Sequence, residues 1–210
     1  MLIFLKEQLV FFATPKTAST AIETTLGKFC EIRLSKKPAV KHTSYRKYKR
    51  FLAPFLATLM DNSPDRIAAF REPVDWLGSW YRYRGRPELT GSKNSTDGIS
   101  FDQFVEAYLQ NTPPSFARVG SQAKFVSDKD GALGMTHLFR YEKMDIMVDF
   151  MEKRLKKQIK LPHSNVSPKA ELSLSPALLK ELQNSYARDF EIYETIGPDP
   201  RLRQQTLQQS

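Results

Sequence analysis

The 210-residue chain predicts an α/β domain with a central, mainly parallel sheet flanked by helices. Three observations lead there. Apolar runs of strand length stand at Leu9–Ala13, Arg66–Phe70 and Thr136–Phe139, and such runs suit strands buried on both faces. A helical pattern follows each of them, and parallel neighbours need crossovers of that kind. The hydrophobic content of 40% supports a sizeable core, so the length fits one domain or one domain with a tail.

In chain order, residues 1–8 give a short strand or lead-in. Leu9–Ala13 is the first buried strand, broken at Pro15. Ile22, Leu26 and Phe29 then share one helical face. Cys30–Leu34 reads as a second short strand and Ser35–Lys41 as a basic loop. Thr43-Ser44 caps a helix over Tyr45–Met60 that Pro54 kinks or splits. Asn62-Ser63-Pro64 is a turn, Arg66–Phe70 a buried strand, and Pro73 the first position of a helix ending near Arg84. Arg84–Ser100 is polar and turn-rich, a candidate lid or substrate loop, within the variable region 84–118 expected to decide the acceptor. Within that region Ser100 and Gln103 form a capping box for a helix reaching Gln110. Gln122–Val126 reads as extended, and Thr136–Phe139 as a strand. Met144–Lys157 is an amphipathic helix whose methionines (Met147, Met151) belong to the core. Leu161–Lys169 is a loop. Ser175-Pro176 opens a last helix to about Tyr193, and the Gln-rich end from Gly197 is expected to be disordered.

The net charge is +9 with a pI near 9.6. That favours a polyanionic partner or a solvated basic surface, without choosing among nucleotide, sulfated sugar, nucleic acid and membrane surface. Cys30 is the only cysteine, which excludes an intramolecular disulfide and a cysteine metal cluster and fits a reducing compartment. No stretch approaches the ~18 apolar residues of a membrane span. Lys6 and Glu7 interrupt the apolar start, which also lacks a basic flank and a small-residue cleavage site. The expected location is cytoplasmic.

The stretch Thr14-Pro15-Lys16-Thr17-Ala18-Ser19-Thr20 carries the chemistry. A strand running through a basic, hydroxyl-rich turn into a helix is an anion site: free N–H groups and the helix dipole face outward, and Lys16 adds a full charge. The inferred ligand is a phosphate or phosphosulfate. A Walker loop is absent, because the Gly-x4-Gly-Lys-Ser/Thr spacing is missing. A second element, Arg71-Glu72-Pro73, places an arginine at another strand end, with Ser79 in the second turn of the following helix. Both cations lie just past strand ends, where ligands of parallel sheets bind.

The two elements together resemble the sulfotransferases that use 3′-phosphoadenosine 5′-phosphosulfate (PAPS). That family carries Pro-Lys-Ser/Thr-Gly-Ser/Thr-Ser/Thr, then Arg-Asn/Asp-Pro with a serine eight positions after the arginine. Here Lys16, and Arg71 with Ser79, match; Ala18 stands in place of the glycine and Glu72 in place of Asn or Asp. Lys41-His42-Thr43, the succession Gln122…Asp130-Gly131…Arg140-Tyr141-Glu142, and Asn165-Val166-Ser167-Pro168 continue the likeness over most of residues 1–197. The resemblance implies a three-layer P-loop-like fold, a sulfotransferase domain over 1–197, and a tail over 198–210. It implies a 5′-phosphosulfate held by Lys16, Thr17, Ala18, Ser19 and Thr20, and a 3′-phosphate held by Arg71 and Ser79. Ser167 and Lys169 of the late loop complete the nucleotide site.

Sulfuryl transfer is an in-line displacement, and charge grows on the oxygen leaving with the 3′,5′-bisphosphate (PAP). Lys16 is the candidate cation for that charge, and His42 the candidate general base for the acceptor hydroxyl. His163, in the late loop, is the second candidate base, whereas His137 reads as a core residue. Arg82, Arg84, Arg86 and Gln122 are candidate contacts for an acceptor that is a sugar or carries negative charge. Glu142 is expected to pair with a cation. No metal-ligand spacing is present, and two cationic motifs make a metal unnecessary. The expected partners are the nucleotide and an acceptor hydroxyl, without nucleic acid. The competing readings are a P-loop-type kinase, which would need a Mg²⁺-binding carboxylate, and a non-enzymatic basic module that binds polyanions.

Overall fold

The computed structural model describes residues 1–162 and 172–202. Five strands form one mixed sheet: β1 (Leu2–Phe4), β2 (Leu9–Phe12), β3 (Ile32–Arg33), β4 (Asp65–Phe70) and β5 (His137–Arg140), in the order β3-β1-β2-β4-β5. β2, β4 and β5 are parallel neighbours; β1 runs antiparallel to both β2 and β3. Four of the five strands therefore share one direction.

Alternation along these strands explains why both faces are covered. Ile3, Val10, Phe12, Ala68, Phe70 and Leu138 point to one side, and Leu2, Leu9, Phe11, Ile67, Ala69 and Phe139 to the other. The second side is closed by α1 (Ser19–Leu26), through Ile22 and Leu26, and by α8 (Met144–Leu155), through Met147, Met151 and Leu155. The methionine stripe is core, as expected.

The first side packs on a bent helical segment that follows α2 (Pro38–Lys41). It comprises α3 (Tyr45–Lys47), a π turn over Tyr48–Leu52, and α4 (Ala53–Leu56). Pro54 is the cause of the bend. It has no N–H to give the carbonyl four residues back, and the ladder widens so that Ala53 N–H reaches the Tyr48 carbonyl instead. Each fully buried phenylalanine of this core, such as Phe12 or Phe70, contributes about 2 kcal/mol of burial.

A third cluster sits at one end. There α5 (Pro73–Arg84) meets α6 (Phe101–Leu109) and α9 (Pro176–Ser185), through Trp76, Leu77, Phe104, Tyr108 and Leu182. α6 starts with the expected capping box, Ser100 with Gln103.

Five expectations are corrected. Pro38–Lys41, expected within a basic loop, is the short helix α2. Gln122–Val126 is a short helix, α7, not extended chain. Ser121 caps it by accepting from Lys124 N–H, and the Asp189 carboxylate accepts from the amides of Gln122 and Ala123. The single last helix is two: α9 ends at Ser185 and α10 spans Ala187–Thr195. Between them Tyr186 leaves helical geometry to stack on Tyr108 at 4.4 Å. The expected tail does not begin at 198. Leu138 N–H donates to Pro200, and Leu202 N–H to Thr136, so residues 200–202 line the outer edge of β5. Glu142 takes no cation among the described residues; its carboxylate accepts from Glu72 N–H and from the Tyr193 hydroxyl.

Candidate active site

β2 and β4 lie side by side and in parallel, with Phe12 opposite Ala68. The chain leaving β2 and the chain leaving β4 therefore emerge together. The Arg71 guanidinium donates to the backbone carbonyl of Lys16 at 3.1 Å, and the indole N–H of Trp76, on α5, donates to the Pro15 carbonyl at 2.9 Å. The two motifs, 55 residues apart, are stitched into one structure.

The turn after β2 is tight. Thr14 N–H bonds back to Phe12, and the Thr17 hydroxyl donates to the Thr14 carbonyl at 2.9 Å. Lys16 and Ala18 both have left-handed backbone, at φ 65° and 54°. Ala18 is thus at the position where glycine is at ease. The first helical bond of α1 is from Ile22 N–H to the Ala18 carbonyl, and no side chain caps the helix. Among the described residues, the backbone N–H groups of residues 16–21 have no acceptor. A row of free amides at a helix start is the donor set an oxyanion takes.

Positive charge gathers at the same place. The Lys16 ammonium lies over the rings of Tyr83 and Trp80, at 4.2 and 5.6 Å, and among the described residues it pairs with no carboxylate. Burial, and then the charges of Arg86, Arg71 and Arg82, bring its pKa down to about 8. Arg71 and Arg82 share the Asp75 carboxylate, at 2.6 and 3.3 Å. Arg71 also stacks on Tyr141 at 4.3 Å. Ser79 is buried on α5.

His42 is fastened to the same strand end. Its Nδ1 lies 2.6 Å from the Ala13 carbonyl. A carbonyl only accepts, so Nδ1 carries the proton and Nε2 keeps its lone pair. Burial, outweighing the Ala13 bond, lowers the imidazole pKa, and the Lys41 charge lowers it further. The ring is neutral near pH 7, ready to take a proton. Lys41 donates to the Thr20 hydroxyl at 3.0 Å and pairs with Glu23 at 2.8 Å. Thr20 thereby keeps its own O–H for a ligand.

A cleft of about 230 Å³ opens beside the turn. Trp76, Phe125 and Pro15 wall it, and Ser44, Lys124 and Thr14 add polar groups. Thr14 Oγ1 is buried there without a partner among the described residues.

The structure brings together Lys16, Thr17, Ala18, Ser19, Thr20, Arg71, Arg82 and Arg86, with His42 held at the same strand end through Ala13. Three assignments change. Thr17 spends its hydroxyl on the turn, leaving only its N–H for a ligand. Gln122 acts as a clamp: fully buried, its amide bonds both the N–H and the carbonyl of Arg71, at 2.9 and 2.8 Å, while the residue also lines the cleft. Arg84 turns away and donates to the Ser115 carbonyl, beneath Trp80. His163, Ser167 and Lys169 lie outside the described residues. Sequence reading missed Asp75, although its place four residues after Arg71 on a helix was a visible pairing signal. It also missed the Trp80–Tyr83 cage around Lys16 and the Asp189 cap, which only the folded chain assembles. Comparison with protein-family models, with curated proteins and with solved structures gives no match.

Proposed function

We propose that this chain is a sulfotransferase with a P-loop-like site, moving the sulfuryl group of PAPS to an acceptor hydroxyl. The observation that carries the reading is the junction of the two cationic motifs: Arg71 bonds the backbone of Lys16 itself, beside amides that have no acceptor among the described residues. One nucleotide with phosphates at both ends can touch both.

PAPS supplies an activated sulfuryl group whose bond to the bridging phosphate oxygen breaks as the new S–O bond to the acceptor forms. Lys16 and the amides of residues 16–20 meet the charge that collects on the departing phosphate, and losing one such donor typically costs about 3 kcal/mol of barrier. His42 Nε2 receives the acceptor's proton. Arg71 and Ser79 take the 3′-phosphate, for which Asp75 must yield part of its hold on Arg71. The cleft at Trp76 and Phe125 holds the acceptor. Its aromatic wall and the Lys124 ammonium favour a sugar or a small molecule bearing negative charge.

The test is transfer of labelled sulfate from PAPS to a panel of hydroxyl acceptors, in the presence of a metal chelator. Transfer that is lost in His42→Ala supports the reading. Turnover of Mg²⁺–ATP without any use of PAPS would replace it with a kinase.

A further inference from the structure

The basic charge of this protein is not spread over its surface. Between Glu31 and Asp61 the chain has eight lysines and arginines and no acidic residue, so this segment supplies +8 of the net +9. Arg33 and Lys41 are spent on Glu23. The other six, Lys36, Lys37, Arg46, Lys47, Lys49 and Arg50, are exposed, and among the described residues only Lys49 has a carboxylate within reach, Asp128 at 3.4 Å.

The same segment carries the most exposed large apolar side chains among the described residues. Phe51, Phe55 and Leu59 are 63%, 54% and 47% exposed. They recur every four residues along the π turn, α4 and the turn after it, and so form a ridge about 12 Å long. A neighbouring face of the segment is already used: Tyr48, Leu56 and Met60 are buried on the sheet. The helix is therefore apolar on two faces, of which the core needs one. The Arg50 guanidinium sits over the Phe51 ring at 5.0 Å, joining the charged and apolar parts.

We infer that this face docks on the surface of an anionic lipid bilayer. The charges bring the helix to the headgroups, and Phe51, Phe55 and Leu59 enter the acyl boundary. The charge explains an acidic partner, and the ridge selects among acidic partners. A sulfated glycan or a nucleic acid backbone gains nothing from three bare apolar side chains. A second copy of the chain would set six like charges against six. No helix among the described residues is long and apolar enough to cross a membrane, so the contact is peripheral. This inference does not rest on the sulfotransferase reading, because it uses neither Lys16 nor Arg71.

The full chain is sedimented with vesicles of phosphatidylcholine alone and with vesicles containing about one third phosphatidylglycerol. Binding is expected on the anionic vesicles only, falling steeply as salt is raised from about 0.1 M to about 0.5 M. Phe51→Ser/Phe55→Ser/Leu59→Ser is expected to weaken partitioning tenfold or more. The melting temperature should change little, because these side chains lie outside the cluster buried on the sheet. Lys47→Glu/Arg50→Glu is expected to do the same by charge. The proposal is overturned if the wild-type chain does not pellet with anionic vesicles. It is overturned equally if the triple variant binds them as well as wild type does, or if heparin is bound tightly while vesicles are ignored. A concentration-dependent dimer that the triple variant loses, with no vesicle affinity, would assign the ridge to a second copy instead.

Discussion

The Lys16 ammonium stands among three arginines with two aromatic rings as its near neighbours. This arrangement is costly without a ligand and useful with one. The native pKa, about 8, lies below the ordinary 10.5. The unfolded chain therefore binds more protons between those values, and the Lys16 contribution makes the free protein gain stability as pH rises across that window. Lys16→Met should raise the stability of the ligand-free protein at pH 7 by on the order of 1–2 kcal/mol, discounting for solvent contact, while abolishing transfer. Chemical denaturation alongside the sulfate assay checks both halves. The same group shapes the pH profile. Transfer should fall below the depressed His42 pKa, as Nε2 takes a proton, and should fall again above about 8, as Lys16 loses its charge. Lys16→Arg should carry the upper limb to higher pH. An upper limb that stays put in that variant assigns it to another group.

At the scale of elements, the turn between β2 and α1 holds Ala18 in left-handed geometry, at a cost of about 1 kcal/mol. Ala18→Gly should stabilise the protein slightly, by up to roughly 0.5 kcal/mol, the relief of strain exceeding the added freedom of the unfolded chain. A thermal or urea melt reads this directly, and a loss of stability would mean that the methyl group packs usefully. Such local features were legible from sequence. The strand ends, the Pro73 start and the Ser100–Gln103 box follow from rules acting within a few residues. The failures share a different cause. α7 exists because Asp189, 67 residues away, receives its first amides, and α9 stops because Tyr186 prefers the Tyr108 ring to another helical turn. The sequence offers Gln122 as a ligand contact because a polar side chain near a site looks available. Only the fold shows both ends of its amide closed on Arg71.

For the whole molecule, the sheet order explains why two short motifs form one place. β2 and β4 are parallel neighbours, so their carboxyl ends, and with them Lys16 and Arg71, must meet. The sequence showed that both lay past strand ends. It did not show that Asp75 would sit between Arg71 and Arg82, because that geometry depends on how α5 is seated. In the proposed function these neighbouring cations grip one doubly phosphorylated nucleotide. Titration calorimetry with PAP and ADP on wild type, Lys16→Ala and Arg71→Ala tests it most directly. One PAP should bind per chain, more tightly than ADP. Lys16→Ala should weaken both ligands, and Arg71→Ala should weaken PAP at least tenfold more than ADP. Absence of PAP binding by the wild-type chain, or equal losses for both nucleotides in Arg71→Ala, would contradict it.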